Sequence, residues 1–143
     1  MQGHPITILL AEDNAAHARL VMRSFRDHAV ENQVIQVDNG ESALDYLFQR
    51  GEYSEIDTQP DLVLLDLRLP KYDGLQVLAE IKKDKALNSI PVVILTTSDA
   101  ESDINMAYEH HANSYLVKPI DFVEFSKMLK DLGFYWLVWN KSK

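Results

Sequence analysis

The sequence has no cysteine among its 143 residues, which excludes disulfides, thiolate metal sites and cysteine nucleophiles and permits a reduced compartment. Positive charge is in the minority: 14 Lys and Arg stand against 22 Asp and Glu, a formal net charge of −8. A general nucleic-acid binder usually carries a basic patch or stripe, and here Lys82-Lys83 is the one adjacent basic pair. Long hydrophobic runs are missing too. The longest uninterrupted apolar stretch, residues 134–139, falls far short of the roughly 20 residues a membrane helix needs. Met1-Gln2-Gly3-His4-Pro5 lacks the positive region and apolar stretch of a signal peptide. There is no low-complexity tract, internal repeat or interdomain linker. These absences predict a cytoplasmic chain that binds neither nucleic acid nor membrane. Its length suits one domain, since domains cluster at roughly 100–150 residues, and such a chain buries enough surface to need no staple.

What is present is a repeating pattern. Five short apolar runs stand at 6–11, 34–37, 62–67, 92–95 and 115–117, and most read as continuous rather than alternating, as strands buried on both faces require. Helical periodicity fills the intervals: 15–28 with Ala16, Leu20 and Phe25, 42–48 with Ala43, Leu44, Leu47 and Phe48, and 75–83 with Val77, Leu78 and Ile81. Ser98-Asp99-Ala100-Glu101 has the spacing of a capping box and should open a fourth helix through about His110. A fifth begins near Asp121. Strand and helix alternating five times imply an α/β fold, a doubly wound five-stranded parallel sheet with helices on both faces. The one long polar loop is 51–60.

Ligands in open α/β sheets bind at the carboxyl ends of the strands. Past the first strand come Glu12, Asp13 and Asn14; at the end of the third stands Asp66; at the end of the fourth is Thr96; past the fifth are Lys118 and Pro119. Three carboxylates, a hydroxyl and an ammonium should converge on one edge. Two carboxylates about 4 Å apart repel by roughly 4 kcal/mol at an effective dielectric of 20. A hard divalent cation relieves that repulsion, since Mg²⁺ takes oxygen ligands and commonly uses one or two carboxylates with phosphate and water. Lys118 adds a compact positive charge.

This constellation resembles the receiver domain of two-component response regulators. The pieces are Glu12-Asp13, Asp66-Leu67-Arg68-Leu69-Pro70 with Asp73-Gly74, Thr96, and Tyr115-Leu116-Val117-Lys118-Pro119, in that order at successive strand ends. The resemblance implies a flavodoxin-like strand order 2-1-3-4-5 and one receiver domain over 1–143, with a core of about 5–132 and an extension over about 133–143. It implies that Asp66 accepts a phosphoryl group from a sensor histidine kinase. Asp13, Asp66 and the backbone carbonyl of Arg68 would bind Mg²⁺, or Mn²⁺ in its place, with Glu12 acting through a water. Thr96 and Lys118 would contact the phosphoryl oxygens, and Pro119 would follow a cis peptide bond after Lys118. Thr96 and Tyr115 would move on phosphorylation and reshape a protein-contact surface, a population shift between two arrangements. The chain would then be a phosphorelay switch, not an enzyme, with self-phosphorylation and autodephosphorylation as its only chemistry and no DNA-binding output domain. Arg68, at a variable family position, either shields the acyl phosphate or contacts the kinase. His111 stands where the family usually has a small residue.

Plainer roles compete for several of these residues. Asp13 alone could be the N-cap of the first helix, Thr96 a strand filler and Tyr115 a core residue. Asp73-Gly74 reads as turn chemistry, with glycine supplying unusual dihedrals. His110-His111 at a helix end complements the dipole and receives no ligand role. A haloacid-dehalogenase-type phosphohydrolase needs an acid where Arg68 stands. A flavodoxin-like FMN site would find Glu12-Asp13 repulsive to phosphate. A receiver used only for docking would not need the full set of Glu12, Asp13, Asp66, Thr96 and Lys118.

The C-terminal segment carries Phe122, Phe125, Leu129, Leu132, Trp136 and Trp139 at spacings of 3, 4, 3, 4 and 3, an a/d seam. A receiver core has little sheet left to cover Phe134, Tyr135, Trp136 and Trp139, and an exposed patch of that kind marks an association site. A homodimer through the fifth helix and its aromatic extension is expected. The tail is similar to that of single-domain regulators partnered with cyanobacterial phytochrome kinases, which implies a phytochrome-type kinase as partner.

Overall fold

The computed structural model describes residues 6–26, 32–96, 105, 114–117, 123, 124 and 127. In chain order the elements are β1 (Ile6–Ala11), α1 (Ala15–Arg26), β2 (Asn32–Val37), α2 (Gly40–Leu47), a 3₁₀ turn (Gly51–Tyr53), β3 (Leu62–Leu65), α3 (Gly74–Lys83), β4 (Val92–Thr96) and β5 (Ser114–Val117). All strand pairs are parallel, and the sheet order is β2-β1-β3-β4-β5. Val123, Glu124 and Lys127 are helical, as a fifth helix near Asp121 requires. The predicted capping box at 98–101 lies outside the described residues, as do the Phe134–Trp139 aromatics. No helix among the described residues is long and apolar enough to cross a membrane.

The continuous apolar runs are explained by two cores, one on each face of the sheet. Successive side chains of a strand point to opposite faces. Leu9, Ala11, Val63, Leu65, Val92 and Ile94 accordingly join Ala43, Leu44 and Leu47 of α2 and Val77, Leu78 and Ile81 of α3 in one cluster. Ile8, Leu10, Leu62, Leu64, Val93 and Leu95 join Ala18, Val21 and Phe25 of α1 in the other. The central strands β1 and β3 therefore have no polar face to show, whereas the edge strand β2 exposes Gln33 and Gln36.

Helix starts are set by caps rather than by the apolar pattern, so α2 and α3 begin earlier than periodicity suggested, while α1 begins at Ala15 as expected. Asn39 accepts the Ser42 N–H and starts α2 at Gly40. Asp73 accepts the Gln76 N–H at 3.0 Å while Gln76 Oε1 accepts the Asp73 N–H at 3.0 Å, a complete capping box. Asp73→Ala is expected to cost about 1 kcal/mol, read as a lower urea midpoint with an unchanged m-value.

The third strand is shorter than its apolar run. Leu67 remains buried after the ladder ends at Leu65, so the run reports burial and not pairing. The polar loop after α2 is tied down. Gln49 Nε2 donates to Ile56 O at 2.7 Å, Gln59 Nε2 donates to Leu47 O at 3.0 Å, and the Tyr46 and Tyr53 rings meet edge-on with centroids 5.3 Å apart. Burial pushes both tyrosine hydroxyls above their usual range.

Gly74 corrects the expectation about its dihedrals. Among the described residues the glycine with positive φ is Gly51, not Gly74. Gly74 is the first residue of α3, and a Cβ there would run into the Asp66 carbonyl oxygen and stand 2.6 Å from Leu67 Cα. Close approach, not turn geometry, is what excludes a side chain. Gly40 meets the same loop from the other side: its N–H donates to Pro70 O at 3.1 Å, and a Cβ would run into the Tyr72 carbonyl oxygen.

Candidate functional site

The parallel order brings the strand carboxyl ends to one edge, with Glu12 and Asp13 just past β1 and Asp66 just past β3. Register makes two of these neighbours. Ala11 is partnered by Val37 on one side and Leu65 on the other. The next amides extend both ladders: Glu12 N–H donates to Val37 O at 2.9 Å, and Asp66 N–H donates to Ala11 O at 3.0 Å. Gln36 Nε2 also holds the Glu12 carbonyl at 3.1 Å. The backbone is fixed before the side chains are placed.

Glu12 is 1% exposed, Asp66 is 7% exposed and Asp13 faces solvent. One carboxylate oxygen from each lies within 4.8 Å of the others. Glu12 Oε2 accepts the Asn14 N–H at 3.2 Å. Asp66 Oδ1 accepts the Arg68 N–H at 3.1 Å, an Asx turn that orients the carboxylate. These amides satisfy lone pairs but carry no net charge. Three negative groups around one point, with oxygen as the donor from each, suit a hard divalent cation such as Mg²⁺ or Mn²⁺.

Asp13 is not the cap of α1. Asn14 fills that position: its Oδ1 accepts the His17 N–H at 3.0 Å, and its carbonyl accepts the Ala18 N–H at 3.0 Å. Asp13 is thereby left one residue outside the helix, beside Glu12. Thr96 ends β4 opposite Val117, and Tyr115 lies in β5 opposite Ile94. The backbone thus places Thr96 at the same sheet edge as Asp66. The side chains of Thr96 and Tyr115 fall outside what is described, as do Lys118, Pro119, His111, Phe134, Tyr135, Trp136 and Trp139. Arg68 is exposed in the loop after β3.

One residue at the site escaped the sequence reading. His17, in the first turn of α1, has Nδ1 3.9 Å from Glu12 Oε1. Asn14 as a cap residue was the available signal, because it places His17 at the third helical position, facing back over Glu12.

A family model described as the response regulator receiver domain matches residues 8–130. The probable methanogenesis regulatory protein FilR2 of Methanothrix harundinacea is 46% identical over 96% of this chain and 88% of its own. Response regulator Rcp1 of Synechocystis is 44% identical over 93% of this chain and 90% of its own. Among solved structures, the phosphorylated cyanobacterial phytochrome response regulator RcpA superposes with a TM-score of 0.84 at 42% identity, covering 94% of this chain and 95% of that one. The Mn²⁺-bound form of Rcp1 gives 0.82 at 43% identity, covering 93% and 95%.

Proposed function

The chain belongs to the response regulator receiver domain family, a signalling module of phosphorelays rather than a classical enzyme family, and from that membership we propose that it switches by accepting a phosphoryl group on Asp66. The observation that carries this reading is the meeting of the Glu12, Asp13 and Asp66 carboxylates within 4.8 Å at the carboxyl edge of the sheet. A carboxylate is a competent nucleophile for phosphoryl transfer, which asks a protein chiefly for positioning and charge stabilisation. In this reading an Asp66 oxygen forms the new bond to phosphorus as the bond to the donor histidine nitrogen breaks, and the product is an acyl phosphate.

Glu12, Asp13 and Asp66, with the Arg68 carbonyl, would hold Mg²⁺ or Mn²⁺, which when bound would offset charge on the transferred group. The Arg68 N–H bond keeps the Asp66 carboxylate from rotating. Thr96 and Lys118 contact the phosphoryl oxygens, and Thr96 with Tyr115 carries the change to the surface. The donor is a sensor histidine kinase, and the likeness to Rcp1 and RcpA supports one of the phytochrome type. A second copy joined through the fifth helix and Phe134, Tyr135, Trp136 and Trp139 is the other partner.

Incubation with acetyl phosphate and Mg²⁺, followed by intact mass, tests the reading. The expected result is a gain of one phosphoryl group that is lost when EDTA replaces Mg²⁺. No gain in the presence of Mg²⁺ would make the chain a docking module.

A further inference from the structure

We propose that the groove between α2 and α3 is a docking surface for a short acidic segment of a partner protein, one that lays a large apolar side chain beside a carboxylate. The lining of this groove includes none of Glu12, Asp13 and Asp66, and the proposal does not rest on phosphoryl acceptance.

Two helices build the groove. Leu44 of α2 and its C-cap Phe48 are four residues apart and share a face. Ala79, Glu80 and Lys83 have the matching spacing on α3. With Tyr72, in the loop before α3, these residues line a cavity of about 570 Å³, within the range of roughly 300–1,000 Å³ typical of binding pockets. Leu44 is buried and Phe48 packs half-buried on the core beneath, so the floor is fixed. Tyr72 is 41% exposed, one of two exposed large hydrophobic side chains among the described residues.

The far end of the groove carries charge. The strands run parallel, so α2 and α3 both run back from the carboxyl edge and end together, with Arg50 just past α2 and Lys83 the last residue of α3. Arg50 is held in place. Its Nε donates to Asp45 Oδ1 at 2.8 Å, its backbone N–H donates to Asp45 O at 2.9 Å, and its guanidinium carbon lies 5.3 Å from the Phe48 ring centroid. No hydrogen bond among the described residues takes up its two terminal amino groups. A guanidinium fixed through Nε with its fork unused is prepared for a carboxylate, which accepts two parallel N–H bonds.

Charge selects the occupant. Arg50 and Lys83 stand against Glu80 alone in the lining, a local positive surplus on a chain of net charge −8. A basic segment would be repelled there, and a wholly apolar one would cover the Arg50 fork without pairing it, which costs free energy. The ten residues of α3 extend about 15 Å, a span that suits several residues of a chain better than one small carboxylate. An apolar side chain over Phe48 and Tyr72 with a carboxylate on Arg50 satisfies both ends of the groove.

Titration of the full-length protein with the peptide acetyl-Glu-Leu-Phe-Glu-Glu-amide, followed by ¹⁵N spectra, tests this. The expected result is saturable shifts centred on Leu44, Phe48, Tyr72 and Lys83. Affinity should fall about ten-fold in Arg50→Gln and several-fold in Arg50→Lys, which keeps the charge and loses the fork. The same peptide with glutamine for glutamate, added to the unmodified protein, should also bind about ten-fold more weakly and supplies an arm that needs no substitution. Absence of binding at millimolar peptide, shifts centred elsewhere, or equal affinity for the acidic and glutamine peptides overturns the proposal. So do shifts at these residues that appear on concentrating the protein without peptide, which would give the groove to a second copy. Each of these failures leaves the phosphoryl reading of Asp66 standing.

Discussion

Asp66→Asn is expected to abolish the phosphoryl gain from acetyl phosphate completely, while leaving the protein folded. Asparagine keeps the shape of the side chain and an oxygen that can still accept the Arg68 N–H now bound at 3.1 Å. It loses the charge and the nucleophilic carboxylate. The same substitution should remove most of the stabilisation conferred by magnesium. A ligand that binds only the folded state adds about 2.7 kcal/mol at a hundred-fold excess over its dissociation constant. The parent protein should therefore melt several degrees higher in Mg²⁺ than in EDTA, and Asp66→Asn should show little difference. Thermal scans with and without metal, beside intact mass, read both effects. A phosphoryl group that persists in Asp66→Asn would move the acceptor to another residue.

Gly74→Ala should be among the most destabilising single methyl additions in the molecule, and Gly40→Ala should match it. At Gly74 the new Cβ meets main chain, the Asp66 carbonyl and Leu67 Cα, and main chain in a packed loop cannot rotate aside. At Gly40 it meets the Tyr72 carbonyl, with the carbonyl carbon 2.7 Å away. Forced overpacking costs 1–3 kcal/mol, so about 3 kcal/mol is expected for each, a melting temperature lower by roughly 10 °C. Gly51→Ala is the internal comparison. Its φ of 61° strains an alanine, but the nearest neighbour is a flexible carboxylate at 3.4 Å, so about 1–2 kcal/mol is expected. Gly74→Ala differs from Gly40→Ala in one further respect: it presses directly on Asp66, the proposed acceptor and metal ligand, so magnesium affinity is expected to fall with it. A Gly74→Ala protein as stable as the parent would mean that the loop yields where the geometry says it cannot.

The sheet was legible because parallel strands buried on both faces need unbroken apolar runs, and Leu62, Val63, Leu64 and Leu65 supply one in full. The site was legible for a related reason. Once strands run parallel, residues just past their ends must meet, and Glu12, Asp13 and Asp66 do. What sequence could not give was set by tertiary distance. Nothing in Asp73-Gly74 says that Gly74 lies against the Asp66 carbonyl, since the pair also spells an ordinary turn. The contact of Gly40 with Tyr72 joins residues far apart in the chain. His17 was missed because helical periodicity marks which residues face the core and says nothing of a polar side chain that approaches Glu12. The reach of the third strand was overestimated because Asp66 and Leu67 stay buried after pairing stops.

Glu12 and Asp66 each hang one step beyond a ladder in which neighbouring side chains alternate sides. The acidic centre is therefore a matter of parity. Adding one residue inside β1 would put Ala11 where Glu12 stands, and dropping or adding one inside β3 would put a leucine where Asp66 stands and turn the acid toward a hydrophobic layer. Segments such as 54–60, which join elements without setting their phase, carry no such restriction. Length variation among chains built on this plan should collect in those connectors, with the odd-and-even count of the two central strands held constant.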